Sequence, residues 1–243
     1  MDERLLEQID KSRLPQHIAV IMDGNGRWAK KNGQPRLFGH HNGVKSVREV
    51  TEACGSLGIQ YLTLYAFSTE NWNRPEMEVK GLMGLLVDTI KKELLTLLDN
   101  NIRLHAIGNL EGLPSATRTA LMEAIQKTSS NDGMTLILAL NYSARWDILN
   151  ATNKLLETHP NTQIREEDFT AALSTSGVPD PELLIRTSGE KRISNFLLWE
   201  CAYTELYFTN TLWPDFRKPE LYEAIIDFQN RERRFGKISE QIN

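Results

Sequence analysis

Cysteine is scarce in this sequence, with two residues, Cys54 and Cys201, in 243. Both sit in apolar helical or strand-like surroundings without metal-ligand spacing. They are therefore expected to be reduced packing residues in a reducing compartment. Long hydrophobic runs are missing, and none approaches the roughly 20 residues of a membrane span. The opening stretch MDERLLEQIDKSRLPQ is charged throughout and lacks the apolar centre of a secretion signal. These absences predict a cytoplasmic protein. Positive charge is not in excess either, since 28 Lys and Arg face 32 Asp and Glu for a net charge of −4. That balance argues against a generic nucleic-acid binder and leaves anion binding to local arginines. There is no low-complexity linker, no heptad series and no repeat of fixed period. The length suits one substantial core, so residues 1–243 read as a single domain with 1–16 as a mobile N-terminal segment.

What does recur is alternation. Five short apolar stretches read as buried strands, at 18–22, 61–67, 103–108, 134–140 and 183–187. Helical patterns fall between and after them. In 43–57 the residues Val44, Val47, Val50, Cys54 and Leu57 mark one face, and Gly58 is a plausible stop. The stretch 76–99 is long and leucine-rich, and further helices fit 114–128, 144–157 and 218–234. Strands alternating with helices predict an α/β fold, a mostly parallel central sheet with helices on its faces.

Ligands of such sheets sit beyond the carboxyl ends of the strands. Three polar loops follow strands here: MDGNGRW, FSTENWNRP and RTSGEKRIS. In the first, glycines allow a tight turn that aims several N–H groups at one ligand, and Arg27 adds a charged donor. The carboxylate of Asp23 would repel bare phosphate, so it makes sense as a holder of Mg²⁺. Asn-Gly is also a hairpin signal, but RWAKKNG does not alternate like a returning strand. The loop is neither a dinucleotide fingerprint, which needs a third glycine, nor a Walker loop, which needs Gly-Lys-Ser/Thr.

Downstream, Arg36 and His40 lie four apart in PRLFGHHNG. The residues alone leave open a solvated arginine with a capping histidine, or a pair of phosphate donors. In FSTENWNRP, helix capping accounts for some of Ser68, Thr69 and Asn71. It does not account for Trp72 between Asn71 and Arg74, which reads as an apolar surface beside an anion site. In RTSGEKRIS, Arg186, Arg192 and Ser194 surround Gly189. A surface charge cluster with Glu190 and Lys191 is the plain alternative, but the shared sheet edge favours an anion site. Arg27, Arg36, Arg74, Arg186 and Arg192 are more than one phosphate requires. With Trp28, Phe67, Trp72 and an apolar helix beside them, they suggest ligands with a doubly anionic head and a greasy tail.

The combination HIAVIMDGNGRWA, GH, LTLYAFSTENWNRP and LLIRTSGEKRISNFLLWECAYTELYF with LWPDF resembles the cis-prenyltransferase family, in particular its bacterial undecaprenyl diphosphate synthases. The resemblance runs from His17 to Gly236 in the expected order. It implies a cis-prenyltransferase fold and a magnesium-dependent transferase that adds isopentenyl diphosphate units to an allylic diphosphate such as farnesyl diphosphate. The product implied is a long-chain polyprenyl diphosphate, undecaprenyl diphosphate, a cell-wall precursor lipid. Carried across, Asp23 holds Mg²⁺ and assists departure of pyrophosphate. Gly24, Asn25, Gly26, Arg27, Trp28, Arg36 and His40 cradle the allylic diphosphate. Ser68, Thr69, Glu70, Asn71, Trp72 and Arg74 match the second substrate loop, with Asn71 assigned to proton removal. A neutral amide is a poor base, so Asn71 can equally position the substrate while a diphosphate oxygen or His40 takes the proton. Arg186, Arg192, Ile193 and Ser194 match the isopentenyl diphosphate site, and Glu205 a second metal carboxylate. The family implies a homodimer with C-terminal residues completing the neighbouring site, and transient contact with the inner face of the membrane for product release.

An Asp-Asp-x-x-Asp motif is missing, which excludes the trans-type mechanism. The 76–99 helix would line the tunnel for the growing chain, with Gly81 and Gly84 leaving room along a stripe, although leucines on a helix are usually core. ELYF and LWPDF suit either a dimer interface or a core. Ser188 stands where the family often has glycine, and NYSARWDI lacks a glycine pair that many relatives carry. A non-catalytic partner subunit would have lost Asp23 and its neighbours. A phosphoryl-transfer enzyme would show Walker or kinase signatures.

Overall fold

The computed structural model describes residues 2–236 and 238–241. Six strands form one sheet: β1 (His17–Ile21), β2 (Tyr61–Ser68), β3 (Arg103–Ile107), β4 (Thr135–Tyr142), β5 (Leu183–Arg186) and β6 (Glu205–Phe208). Their order is β3-β4-β2-β1-β5-β6, and every pairing is parallel. The alternating apolar runs anticipate five of them. The sixth, ELYF, was expected only as an interface or core segment. Four half-exposed residues on a sheet edge carry too short a pattern to mark a strand.

Because the strands are buried on both sides, their residues divide by parity. Ile18, Val20, Leu62, Leu64, Leu136, Leu138 and Leu140 enter one core, and Ala19, Ile21, Ile137, Ala139 and Leu184 enter the other. The helices are α1 (Asp2–Leu6), α2 (Asn25–Lys31), α3 (Arg36–Leu57), α4 (Glu76–Asp99), α5 (Ser115–Lys127), α6 (Ala144–Thr158), α7 (Glu166–Ala172) and α8 (Lys218–Gln229). None of them, among the described residues, is long and apolar enough to cross a membrane. The chain builds β2, β3 and β4 on one side of β1 and β5 and β6 on the other. The switch point therefore lies at β1, where a crevice opens beyond the strand ends.

Several boundaries move. The turn after Asp23 is a single left-handed glycine, Gly24 with φ 109°, and α2 starts at once. The flexible loop read from GNGRW is thus mostly helix. Helix α3 starts at Arg36, seven residues before the apolar stripe expected from 43 on, and ends at Gly58 as expected. The early turns carry glycine for packing: a Cβ on Gly39 would lie 1.9 Å from the carbonyl oxygen of Asn25. Glycine there lets α2 and α3 cross in contact, which an apolar periodicity cannot signal. Helix α8 stops at Gln229 rather than 234.

The N-terminal segment expected to be mobile begins with helix α1, while Met1 lies outside the described residues. Helix α1 lies against α8, and Ile9 is buried. The amide of Gln229 donates to the carbonyls of Asp10 and Arg13. Cys54 is buried, Cys201 is half-buried, and both are free thiols, as expected. Burial pushes both thiols up to about 12.

Candidate active site

A cavity of about 780 Å³ opens at the carboxyl ends of β1, β2 and β5 and runs between the sheet and helices α3 and α4. Its volume is that of a pocket for a sizeable small molecule. The walls change character along its length. Asp23, His40, Asn71, Arg74, Arg186 and Ser194 stand at the strand ends. Farther in come Leu64, Leu138 and Leu140 from the sheet, Val44 and Val47 from α3, and Leu82, Leu86 and Ile90 from α4. The deep end is Leu97, Ile102, Leu104 and Leu136. Parity explains this wall, since the sheet residues in it belong to the alternate set facing α3 and α4. Helix α4 both packs and lines the cavity, but Gly81 and Gly84 are not on the lining face. A Cβ on Gly81 would meet Leu37 at 2.8 Å, and Gly84 faces open space.

Asp23 is the hub. One carboxylate oxygen accepts from the Gly24 N–H at 2.7 Å, and the other accepts from Arg186 at 3.0 Å and faces Arg27 at 3.4 Å. Its backbone is bonded to the Thr187 side chain and to the Trp213 N–H, which fixes the loop after β1 to that after β5. Burial raises the Asp23 pKa, but hydrogen bonds from Arg186 and Ser188, with the charges of Arg186 and Arg27, outweigh it and hold the carboxyl below its ordinary value. The carboxylate is ionised and stands beside a cluster of donors.

Arg186 is almost fully buried. It also donates to the Arg192 carbonyl and the Ser194 hydroxyl, both at 2.6 Å, while its Nε has no partner. Arg36 and Arg74 converge on Glu78, at 3.2 and 3.1 Å. A Cβ on Gly26 would lie 2.9 Å from the Arg36 guanidinium, so glycine there clears the space that this head occupies. His40 is half-buried beside Arg74 and Arg36. Burial first, then the charge of Arg74, lowers its pKa to about 4, so its imidazole is neutral at neutral pH and its Nε2 is unpartnered.

The structure thus brings Asp23, Asn25, His40, Ser68, Glu70, Asn71, Arg74, Arg186 and Ser194 to one cavity. Gly24, Gly26, Arg27 and Arg36 do not line it: Gly24 and Arg27 contact Asp23, and Gly26 lies against Arg36, which pairs with Glu78. Asn25 braces the turn by donating to the Met22 carbonyl at 3.2 Å. Thr69 is hydrogen-bonded to Glu70, and Ile193 packs in the second core. The aromatic wall expected from Trp28 and Trp72 is not formed. Trp28 stacks on Phe38 and donates to Asp215 at 2.7 Å, and Trp72 donates to Asn141 at 2.7 Å. A buried or half-buried indole N–H seeks an acceptor, and both acceptors lie away from the cavity. Phe67 does line it. Arg192 points to Glu190 at 2.6 Å and offers Arg186 only its carbonyl.

Glu205 is placed away from the cavity. It begins β6 opposite Leu183, three residues before the register of Arg186 with Phe208, or about 10 Å toward the other end of the sheet. There it is paired with Arg231 at 3.0 Å.

Sequence reading missed Arg145, Asn195 and Glu78. Arg145 and Asn195 line the cavity, and Asn195 joins two loops by donating to Glu70 at 2.8 Å and accepting from the Arg145 N–H at 3.0 Å. The available signal was position: Arg145 follows β4 as the other loops follow their strands. Among the described residues there is no group of three or more His, Cys, Asp or Glu able to hold a metal. A single carboxylate such as Asp23 suits an ion whose remaining ligands are waters and substrate phosphate, the usual habit of Mg²⁺.

Residues 21–236 match the family model described as putative undecaprenyl diphosphate synthase. The isoprenyl transferase of Chlorobaculum tepidum is 54% identical over 99% of this chain and 93% of its own length. That of Porphyromonas gingivalis is 53% identical over 94% and 92%. Among solved structures, lavandulyl diphosphate synthase from Lavandula x intermedia, in complex with dimethylallyl diphosphate, superposes with a TM-score of 0.89. It is 37% identical and covers 93% of this chain and 100% of its own. A probable undecaprenyl diphosphate synthase from Campylobacter jejuni gives 0.78, at 37% identity over 92% and 99%. A head of carboxylate and arginines opening into a leucine-lined cavity, on a fold shared over nearly the whole chain, places this protein in the undecaprenyl diphosphate synthase family of prenyltransferases, as a transferase.

Proposed function

We propose that this chain condenses isopentenyl diphosphate units onto an allylic diphosphate, farnesyl diphosphate by preference, to make a long cis-polyprenyl diphosphate, undecaprenyl diphosphate being the favoured product. The observation that carries this reading is the continuity of the cavity, from the arginine-ringed Asp23 carboxylate to a deep apolar end formed by Leu97, Ile102 and Leu136. A nucleotide has no use for such a tail space, whereas a growing isoprenoid chain does.

In each round a carbon–carbon bond forms at the allylic carbon, pyrophosphate leaves, and one proton departs from the unit added. Charge builds on the leaving diphosphate, so fixed donors placed there lower the barrier. Arg27, Arg36 and Arg74 supply them, with the backbone N–H groups from Asn25 to Arg27 at the start of α2. Mg²⁺ held by Asp23 would add Lewis-acid stabilisation of the leaving group. Arg186 and Ser194, with Arg192 beside them, hold the second diphosphate across the cavity mouth. The oxygen of the Asn71 side chain accepts the Ser68 N–H at 3.2 Å. This leaves its NH₂ to orient substrate and favours a positioning role. The proton then goes to a diphosphate oxygen or to the neutral His40.

Release of so apolar a product calls for contact with the inner face of the membrane by an otherwise cytoplasmic protein. A homodimer is proposed from the exposed apolar edge of the sheet discussed below.

Labelled isopentenyl diphosphate, farnesyl diphosphate and Mg²⁺ test the reading, with product lengths resolved. Wild type is expected to make long products, and Asp23→Ala at least 10²-fold less. A folded wild type that makes none would refute it.

A further inference from the structure

Ser188 lies two residues beyond β5 with φ 78°, and Gly189 after it has φ 81°. Glycine adopts this conformation freely, but a residue with a Cβ is strained in it. Such strain persists where the surroundings enforce it, and it concentrates at functional sites. The turn itself is enforced by the backbone. The N–H of Ser188 donates to the Thr211 carbonyl and that of Gly189 to the Thr209 carbonyl, both at 2.8 Å. Glycine at 188 would form both bonds without strain. They explain the turn but not the serine.

What the serine adds is a buried hydroxyl between two charged groups of the first loop. It accepts from one terminal nitrogen of Arg27, whose head also faces the Asp23 carboxylate. The Ser188 carbonyl accepts from the other terminal nitrogen of Arg27 at 2.9 Å. Without this clamp, Arg27 would be drawn between Asp23 at 3.4 Å and Glu190 at 3.6 Å, with nearly half of its side chain in solvent. Neither contact is a well-formed hydrogen bond that fixes the head.

The geometry points to Ser188 as a positioning residue that accepts backbone strain in order to clamp Arg27 beside Asp23, so that the guanidinium is ordered before a diphosphate arrives. This rests on the reading above that Arg27 and Asp23 serve the allylic diphosphate. Ordering a long cationic side chain beforehand spares binding that entropy loss.

Two variants separate hydroxyl from strain: Ser188→Ala keeps the Cβ and loses the hydroxyl, and Ser188→Gly loses both. Calorimetry with inorganic pyrophosphate, with and without Mg²⁺, reads the clamp without turnover. Both variants are expected to bind pyrophosphate about tenfold more weakly than wild type, the scale of one hydrogen bond to a charged group. In the elongation assay both should raise KM for the allylic diphosphate by a similar factor, with kcat within about twofold and KM for isopentenyl diphosphate unchanged. The unfolding midpoint should rise in Ser188→Gly and not in Ser188→Ala. A serine with only a structural role would move the midpoint and leave pyrophosphate affinity alone, and that result overturns the proposal. A wild type that binds pyrophosphate but does not elongate would overturn the reaction assigned above while the Ser188 comparison still stands. A wild type that binds no pyrophosphate would overturn both.

Discussion

His17 begins β1 on the face away from the cavity, buried between two oxygens. Its Nδ1 lies 2.7 Å from the Pro179 carbonyl and its Nε2 2.7 Å from the Thr63 hydroxyl. A carbonyl can only accept, so Nδ1 carries the proton and Nε2 accepts from Thr63, which satisfies the neutral ring. Burial, the largest influence, lowers its pKa to about 4, against smaller opposing effects from Pro179 and Glu182. The unfolded ring titrates near its ordinary value of about 6.5. Between these values the unfolded chain binds more protons, so stability falls as pH falls from about 6.5 to 4. From pH 7.5 to 5 one such residue costs about 2 kcal/mol. Urea unfolding at the two pH values should show that loss in wild type, and His17→Asn should reduce it by about that amount. An unchanged pH dependence would show that the ring is protonated in the fold. His40, lowered to about 4 by burial and then Arg74, adds to the same slope. None of this is legible from a lone histidine at a strand start. Asp23 and Arg186 were legible, because one directly follows and the other ends an apolar run, and Ser194 belongs to the polar loop after Arg186.

At the scale of elements, the strands were legible because their apolar runs are bounded by polar loops, and the crevice followed from parallel order alone. Helix starts were less so. The first turns of α3 are glycine-rich for contact with α2, and a stripe-based reading skips them. The relation of α4 to α3 was not legible at all, since the two are held apart over the cavity by charges far apart in sequence. Arg36 reaches Glu78 at its mouth, and Arg48 meets Glu93 deeper in through two hydrogen bonds. Both members of the deeper pair line the cavity, and Glu93 is largely buried. Arg48→Leu would leave that carboxylate unpaired against leucines, whereas Arg48→Leu with Glu93→Leu removes the charge altogether. Breaking a pair costs more than replacing it with apolar groups. With Arg48 half exposed, the single variant should lose about 1–2 kcal/mol, and the double variant should recover most of it. Thermal unfolding reads the difference. Equal losses would mean that the pair does not hold α4. Product lengths from the double variant would also show whether a polar crossing in the tunnel limits chain growth.

At the scale of the molecule, the sheet ends on β6 with its apolar side chains uncovered. Tyr203, just before the strand, is 67% exposed and lies against the ring of Phe235, itself 55% exposed, while Leu206 in the strand is partly open. Monomeric proteins seldom leave adjoining aromatic and aliphatic groups bare beside a strand edge. Arg233 lies under the Phe235 ring at 4.7 Å and pairs with Glu182, so the C-terminal stretch is tied to this edge rather than free. A second copy meeting the first here would cover the patch by a two-fold contact. Glu205, paired with Arg231 on the same edge, would then lie at the interface. That contact would give its carboxylate a role in assembly. Sedimentation of wild type at micromolar concentration should give a dimer. Tyr203→Asp with Leu206→Asp places two charges in the contact and should give a monomer. Because both side chains are solvent-facing in the single chain, that variant should keep an unfolding transition. Its elongation activity should fall at least tenfold if neighbouring chains complete each other's sites, and stay near wild type if they only stabilise one another. A wild type that sediments as a monomer would remove the dimer and leave the β6 edge as a surface for some other partner.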